Sequence, residues 1–124
     1  MAATQAGPDV TAPNAPTALA ASNVDDTGFT LGWTAATDDV GVTGYRLDVS
    51  LNSGFTSYVG GYNNLNIGNV TSIAIAGLSA STPYYTRLRA YDAAGNMSAN
   101  SAANWTITLA APDVTAPNAP TALT

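Results

Sequence analysis

The chain reads as an all-β sandwich of one small domain, and three observations predict it. Apolar residues recur with period two in short bursts, and Gly, Asn and Asp part the bursts. No segment carries the i, i+3, i+4, i+7 spacing of an amphipathic helix. Such alternation belongs to antiparallel strands with one packed face and one wet face. The third observation is a duplication: Pro8–Leu19 (PDVTAPNAPTAL) returns letter for letter as Pro112–Leu123. So long an identity does not recur by chance in a short chain, so one repeat of a tandem array and the opening of the next are expected. The repeat length, about a hundred residues, is that of one small β domain. The expected organisation is a linker over 1–15, a domain over 16–110, and a linker with the opening of a further repeat over 111–124.

The elements follow in order. Pro8, Pro13 and Pro16 fix φ and remove amide donors, so the opening segment should be extended and stiff. It leads into an edge strand near Leu19, where proline also discourages wrong pairing. Phe29, Leu31 and Trp33 alternate with Thr30 and Gly32, and Tyr45, Leu47 and Val49 with Arg46, Asp48 and Ser50. The Gly- and Asn-rich stretch 51–70 is long for a connection and should hold a further short strand, with Phe55 or Val59 tucked into the sandwich edge. Ile73 and Ile75 precede Leu78. Tyr84, Thr86, Leu88 and Ala90 then alternate with Tyr85, Arg87, Arg89 and Tyr91, and Trp105, Ile107 and Leu109 with Thr106 and Thr108. Each large side chain turned inward is worth roughly 1.5–3 kcal/mol, enough for a domain of this size to fold alone.

Composition narrows the chemistry. All eight acids are aspartates and the only bases are Arg46, Arg87 and Arg89; Glu, Lys, His and Cys are absent. Without His or Cys there is no ordinary zinc site, no haem ligation by those residues, and no Ser-His or Cys-His nucleophile. Three bases and a net charge of −5 make a phosphate backbone a poor partner, so nucleic acid is not expected. No disulfide is required, and no apolar run reaches the ~18 residues of a membrane span. Met1–Gly7 lacks the charged and apolar regions of a signal peptide, so any leader is expected upstream.

The segment Leu78–Ser98 (LSASTPYYTRLRAYDAAGNMS) resembles the fibronectin type III family. Leu78, Thr82 and Tyr84 stand at the spacing of its tyrosine corner, in which a Tyr hydroxyl bonds back to upstream main chain. Leu88, Ala90 and Asp92, then Gly95, Asn96 and Ser98, continue the pattern. Trp33 falls at the core tryptophan, Tyr45 at the next strand's tyrosine, and Pro16 and Leu19 at the first strand. The resemblance covers residues 16 to about 110, with a bacterial flavour in its linker. It implies a seven-stranded antiparallel Greek-key β-sandwich, three strands facing four, with Trp33, Tyr45, Leu78, Tyr84 and Leu88 in the core and Pro13 and Pro16 at the junction.

Given that fold, one pole would collect Asp9, Asp38, Asp39, Asp92 and Asn96. Converging carboxylate and carbonyl oxygens are what calcium takes. Capping of nearby backbone amides, the commoner use of Asp in loops, fits the same residues. No other cofactor is expected. Tyr85 and Tyr91 are out of phase with the core, and Tyr58 and Tyr62 precede the fifth strand. They would either stack on a glycan or surface protein, or cover the sheet over Arg87 and Arg89. Paired carboxylates for glycoside hydrolysis could be drawn from Asp38, Asp39 and Asp92, but a solvated loop pole offers no cleft. No Arg-Gly-Asp occurs, and the Asn-x-Ser/Thr triplets at Asn69, Asn96 and Asn104 are expected by chance. The duplicated segment 112–123 has three fates: a free stub, packing on its own domain, or replacement of the strand entry of another copy, which would link molecules head to tail.

By analogy with the family, the chain is expected to be a non-catalytic spacer repeat of a bacterial secreted or cell-surface protein, with neighbouring repeats as partners and adhesion as an added role. The alternatives are an accessory module of an extracellular carbohydrate-active enzyme, and a self-associating filament subunit.

Overall fold

The computed structural model describes residues 9–113 and Pro117. Seven strands form: β1 (Thr17–Ser22), β2 (Phe29–Thr34), β3 (Val42–Ser50), β4 (Leu65–Gly68), β5 (Ser72–Ile75), β6 (Pro83–Asp92) and β7 (Asn104–Ile107). They make a three-stranded sheet of order β1-β2-β5 and a four-stranded sheet of order β4-β3-β6-β7. Every pairing is antiparallel. The β2–β5 and β3–β6 neighbours are not consecutive in sequence, so the chain crosses between the sheets as a Greek key does.

The core lies between the layers, where the alternation predicts it. Phe29, Leu31 and Trp33 of β2 and Ile75 of β5 face Tyr45, Leu47 and Val49 of β3 and Tyr84, Leu88 and Ala90 of β6. Trp33 and Tyr45, from opposite sheets, meet edge to face with ring centroids 5.4 Å apart. The Tyr84 hydroxyl accepts the Ser79 amide at 2.7 Å, which closes the corner next to buried Leu78. Gly28 has to be glycine: a Cβ there would run into the Ile75 main-chain carbonyl.

The opening segment is fastened to the sandwich. Pro13 and Pro16 are buried. Asn14 donates its amide to the Thr37 carbonyl at 3.0 Å, and its side-chain oxygen accepts the Thr37 amide at 2.6 Å. At the edge, β1 slips register between Thr17 and Ala20 around Ala18, which is left-handed at φ 58°. Such a bulge roughens an edge that would otherwise invite another strand.

The last strand departs from the expected pattern. Its apolar phase points outward: Trp105, Ile107 and Leu109 are 54%, 45% and 55% exposed, while Thr106 and Thr108 face in. The inward threonines are satisfied, since Thr108 Oγ1 donates to the Ser79 carbonyl at 2.6 Å and accepts the Thr82 amide at 3.0 Å. Ahead of β7, in the β6–β7 connection, serine hydroxyls complete the edge of β6. The Leu88 amide donates to Ser101 Oγ at 3.0 Å and the Ala90 amide to Ser98 Oγ at 2.8 Å.

Two variants separate packing from tethering. Trp33→Ala is expected to cost about 3–5 kcal/mol, as large-to-small changes in a core do. Tyr84→Phe keeps the ring and removes one hydrogen-bond partner, so about 1 kcal/mol is expected. Urea unfolding of both variants checks this, and equal losses would contradict it.

Candidate functional site

Two surfaces gather the chemistry of this domain. The first is the pole formed by the strap before β1, the β2–β3 loop and the β6–β7 turn. It brings together Asp9, Asp38 and Asp39, each offering one carboxylate oxygen within 4.8 Å of the other two. Local turn chemistry sets their orientation. Asp9 Oδ1 accepts the Thr11 amide at 3.0 Å, Asp38 Oδ2 the Gly41 amide at 3.2 Å, and Asp39 Oδ1 the Val40 amide at 3.0 Å. One oxygen of each carboxylate thus caps backbone, leaving the other to face the cluster or solvent. Asp38 Oδ1 and Asp9 Oδ2 are enclosed, and the Asp9 carboxyl has the Asp92 carboxyl as its side-chain neighbour.

Asp92 and Asn96, expected at the same pole, are there but are used differently. Asp92 is 2% exposed, and its Oδ1 accepts the Ala94 and Asn96 amides at 3.0 and 2.9 Å. Asn96 Nδ2 donates to Asp92 Oδ2 at 3.0 Å and to the Asp9 carbonyl at 2.9 Å. This pair therefore shapes the turn and holds the strap. For Asp9, the Thr11 amide favours the ionised form, but hydrogen bonding with Asp92, partial burial and the charges of Asp39 and Asp92 together raise its pKa. For Asp92, burial works against ionisation, yet the Asn96 side chain, Asp9 and the turn amides outweigh it and lower the pKa.

The second surface is the outer face of the four-stranded sheet. Asp48, 1% exposed, lies beneath Arg87 Nε at 2.8 Å and Arg89 Nη1 at 2.7 Å. It also accepts the Asn64 amide at 2.7 Å. Burial would raise the Asp48 pKa, but the Arg89 and Arg87 hydrogen bonds and the Asn64 amide prevail and lower it. Arg87 stacks on buried Phe55, and Arg46 lies over the Tyr91 ring.

Of the tyrosines singled out in the sequence, none is fully exposed. Tyr62 is drawn to β5, where its hydroxyl accepts the Ala76 amide at 3.2 Å. Tyr58 meets Arg87 Nη2 at 3.3 Å, and Tyr91 donates to Asn66 at 2.9 Å. The exposed aromatic is Trp105, which pairs in register with Tyr85. Periodicity groups it with the core, so its role at the surface is not visible in sequence. The duplicated segment 112–123 lies outside the described residues except for Pro112, Asp113 and Pro117.

Fold, tyrosine corner and strand order define an immunoglobulin-like sandwich module. A model of the fibronectin type III domain matches residues 14–104, and the chain belongs to that family. It is 46% identical over 114 residues to exoglucanase B of Cellulomonas fimi, covering 91% of this chain and 9% of that protein. It is 40% identical over 120 residues to chitinase A1 of Niallia circulans, covering 93% and 15% respectively. With an alpha-amylase of Niallia circulans it shares 40% over 110 residues, 87% of this chain and 8% of the enzyme. The chain thus spans a small fraction of these relatives. Among solved structures, chitinase ChiA74 from Bacillus thuringiensis superposes with TM-score 0.66 at 28% identity, over 86% of this chain and 15% of that one. Titin domains A168–A170 share the fold, with TM-score 0.63 at 22% identity, over 79% of this chain and 32% of that one.

The Asp48 cluster makes stability depend on pH. Its folded pKa is lowered, so its contribution is complete above the usual aspartate value of about 4 and is lost as pH falls through the folded value. Asp48→Asn should destabilise at pH 7 by less than the about 3–5 kcal/mol of a fully buried pair, because both arginines reach water. Below pH about 4 the gap between wild type and variant should narrow. Urea titrations across that range check it, and a gap independent of pH would refute it.

Proposed function

We propose that this chain is a non-catalytic accessory module of a bacterial extracellular carbohydrate-active enzyme, serving as a spacer of fixed length. One observation carries the reading: similar modules occur in proteins named exoglucanase, chitinase and alpha-amylase. A part shared among enzymes of such different specificity supplies something other than the bond-breaking step. The acids support this. Glycoside hydrolases hold their two carboxyl groups roughly 5–9.5 Å apart across a cleft, whereas Asp9, Asp38 and Asp39 crowd within 4.8 Å on a loop pole. The shallow groove lined by Pro16, Thr17, Ala18, Leu19, Ala102 and Ala103 contains no titratable side chain. The relatives favour this role over the stalk of a surface protein, and none of their names points to adhesion. The duplicated Pro8–Leu19 segment supports a tandem arrangement, with neighbouring repeats as partners.

The purified chain should release no reducing sugar from cellulose, chitin or starch; measurable release would overturn the reading. Exposed Trp105 beside Tyr85 supports a second role, a sugar-stacking contact that steadies the parent enzyme on its polymer. In depletion assays on insoluble chitin and cellulose, Trp105→Ala should weaken retention about 2- to 10-fold. Wild type unretained on both polymers would eliminate that contact while leaving the spacer role intact.

A further inference from the structure

We propose that consecutive repeats dock end to end, with Leu109 of one repeat covered by Val10 and Val40 of the next. The inference rests on the tandem reading above and goes beyond it by naming the contact.

The chain leaves little slack between repeats. Leu109 is fastened to the sandwich body: its amide donates to the Asp25 carbonyl and its carbonyl accepts the Ser81 amide, both at 2.9 Å. At the opposite end Asn96 Nδ2 holds the Asp9 carbonyl at 2.9 Å. Asp113 is the counterpart of Asp9 in the duplicated segment, so Ala110, Ala111 and Pro112 alone separate one anchor from the next. Four residue steps reach at most about 14 Å. Pro112 fixes its own φ and keeps Ala111 extended, which removes much of the remaining freedom. The strap end of one repeat therefore adjoins the Leu109 end of the repeat before it.

Both ends carry apolar side chains that a single repeat leaves bare. Val10 and Val40 are 84% and 67% exposed, next in sequence to Asp9 and Asp39, whose carboxylates converge at the strap end. Leu109 is 55% exposed at the other end. Val114 stands where Val10 does, so the following repeat brings the same side chain to the joint. Charge supplies no attraction there, because Asp25 and Asp26 on one side meet Asp38 and Asp39 on the other. An apolar centre holds the joint against an acidic rim.

Scale selects the partner. Three aliphatic side chains bury far less than the ~1,200 Å² of a standard association between free proteins, so separate copies stay apart. Within one chain a short joint sets an effective concentration on the order of millimolar, and a contact too weak for a dimer becomes populated. The occupant is the next repeat of the same chain. Docking of this kind passes the direction of one repeat to the next.

A chain of two repeats, made by joining residue 111 of one copy to residue 8 of a second, reproduces the joint letter for letter. Its melting temperature should exceed that of the single chain by ~2–5 °C. Each variant is compared with the single chain carrying the same substitution. Leu109→Ser in the first repeat and Val40→Ser in the second should each remove most of the rise, and both together should remove no more. The same substitutions at the outer ends, Val40→Ser in the first repeat and Leu109→Ser in the second, should keep it. Added salt screens the acidic rim and should enlarge the rise. A two-repeat chain that melts with the single chain would overturn the proposal, as would outer substitutions as damaging as inner ones. A rise that salt abolishes would mark an ionic joint and overturn it as well. None of these results touches the accessory role, which the sugar-release assay tests by itself.

Discussion

The edge-to-face contact of Trp33 with Tyr45 sets the spacing on which the rest of the molecule depends. It joins the two sheets at 5.4 Å between centroids, and it reaches beyond the core. The Tyr45 hydroxyl accepts the Ala36 amide at 3.0 Å, which pins the start of the β2–β3 loop. That loop carries Thr37, the anchor of the strap, and Asp38 and Asp39 of the acidic pole. A packing contact between sheets thus fixes a polar surface several residues away. Geometry alone links the two, with no special chemistry between them.

Charge is segregated to an unusual degree. All three arginines lie on the outer face of the four-stranded sheet, two of them bound to Asp48. Asp9, Asp25, Asp38, Asp39 and Asp92 instead accept backbone amides. This division explains how so few bases suffice: one buried carboxylate gathers two guanidinium groups, and their stems cover a sheet face that would otherwise be wet. It also explains why the pole is electrostatically crowded, since no base is left to serve it.

Much of this was legible in the sequence, for identifiable reasons. Phe29, Leu31 and Trp33, like Tyr45, Leu47 and Val49, alternate with residues too small or polar to compete for the interior, so their phase admits one answer. The seven strands in a three-plus-four arrangement match what the family resemblance implied. The last strand defeats the same rule. Trp105, Ile107 and Leu109 are the apolar phase, yet Thr106 and Thr108 go inside because their hydroxyls find partners there, Asn104 Nδ2 for Thr106 and main chain for Thr108. Alternation identifies a strand but leaves open which phase is buried when the polar phase can satisfy itself. Grouping of Asp9 with Asp38 and Asp39 could be read once the fold was known, because strap and loop share a pole. The Asp48 cluster could not, since its arginines lie some forty positions away along the chain and only the β3–β6 register aligns them.

The strap has a mechanical consequence. Traction arriving from the amino-terminal side meets the Asn96 grip on Asp9 first, then the Asn14–Thr37 clasp, and only then the β1–β2 ladder. These fastenings lie in series, so they yield from the outside inward, each releasing a short length of chain. A module fastened this way would dissipate a jolt in small steps and keep its folded body intact until the last of them is spent.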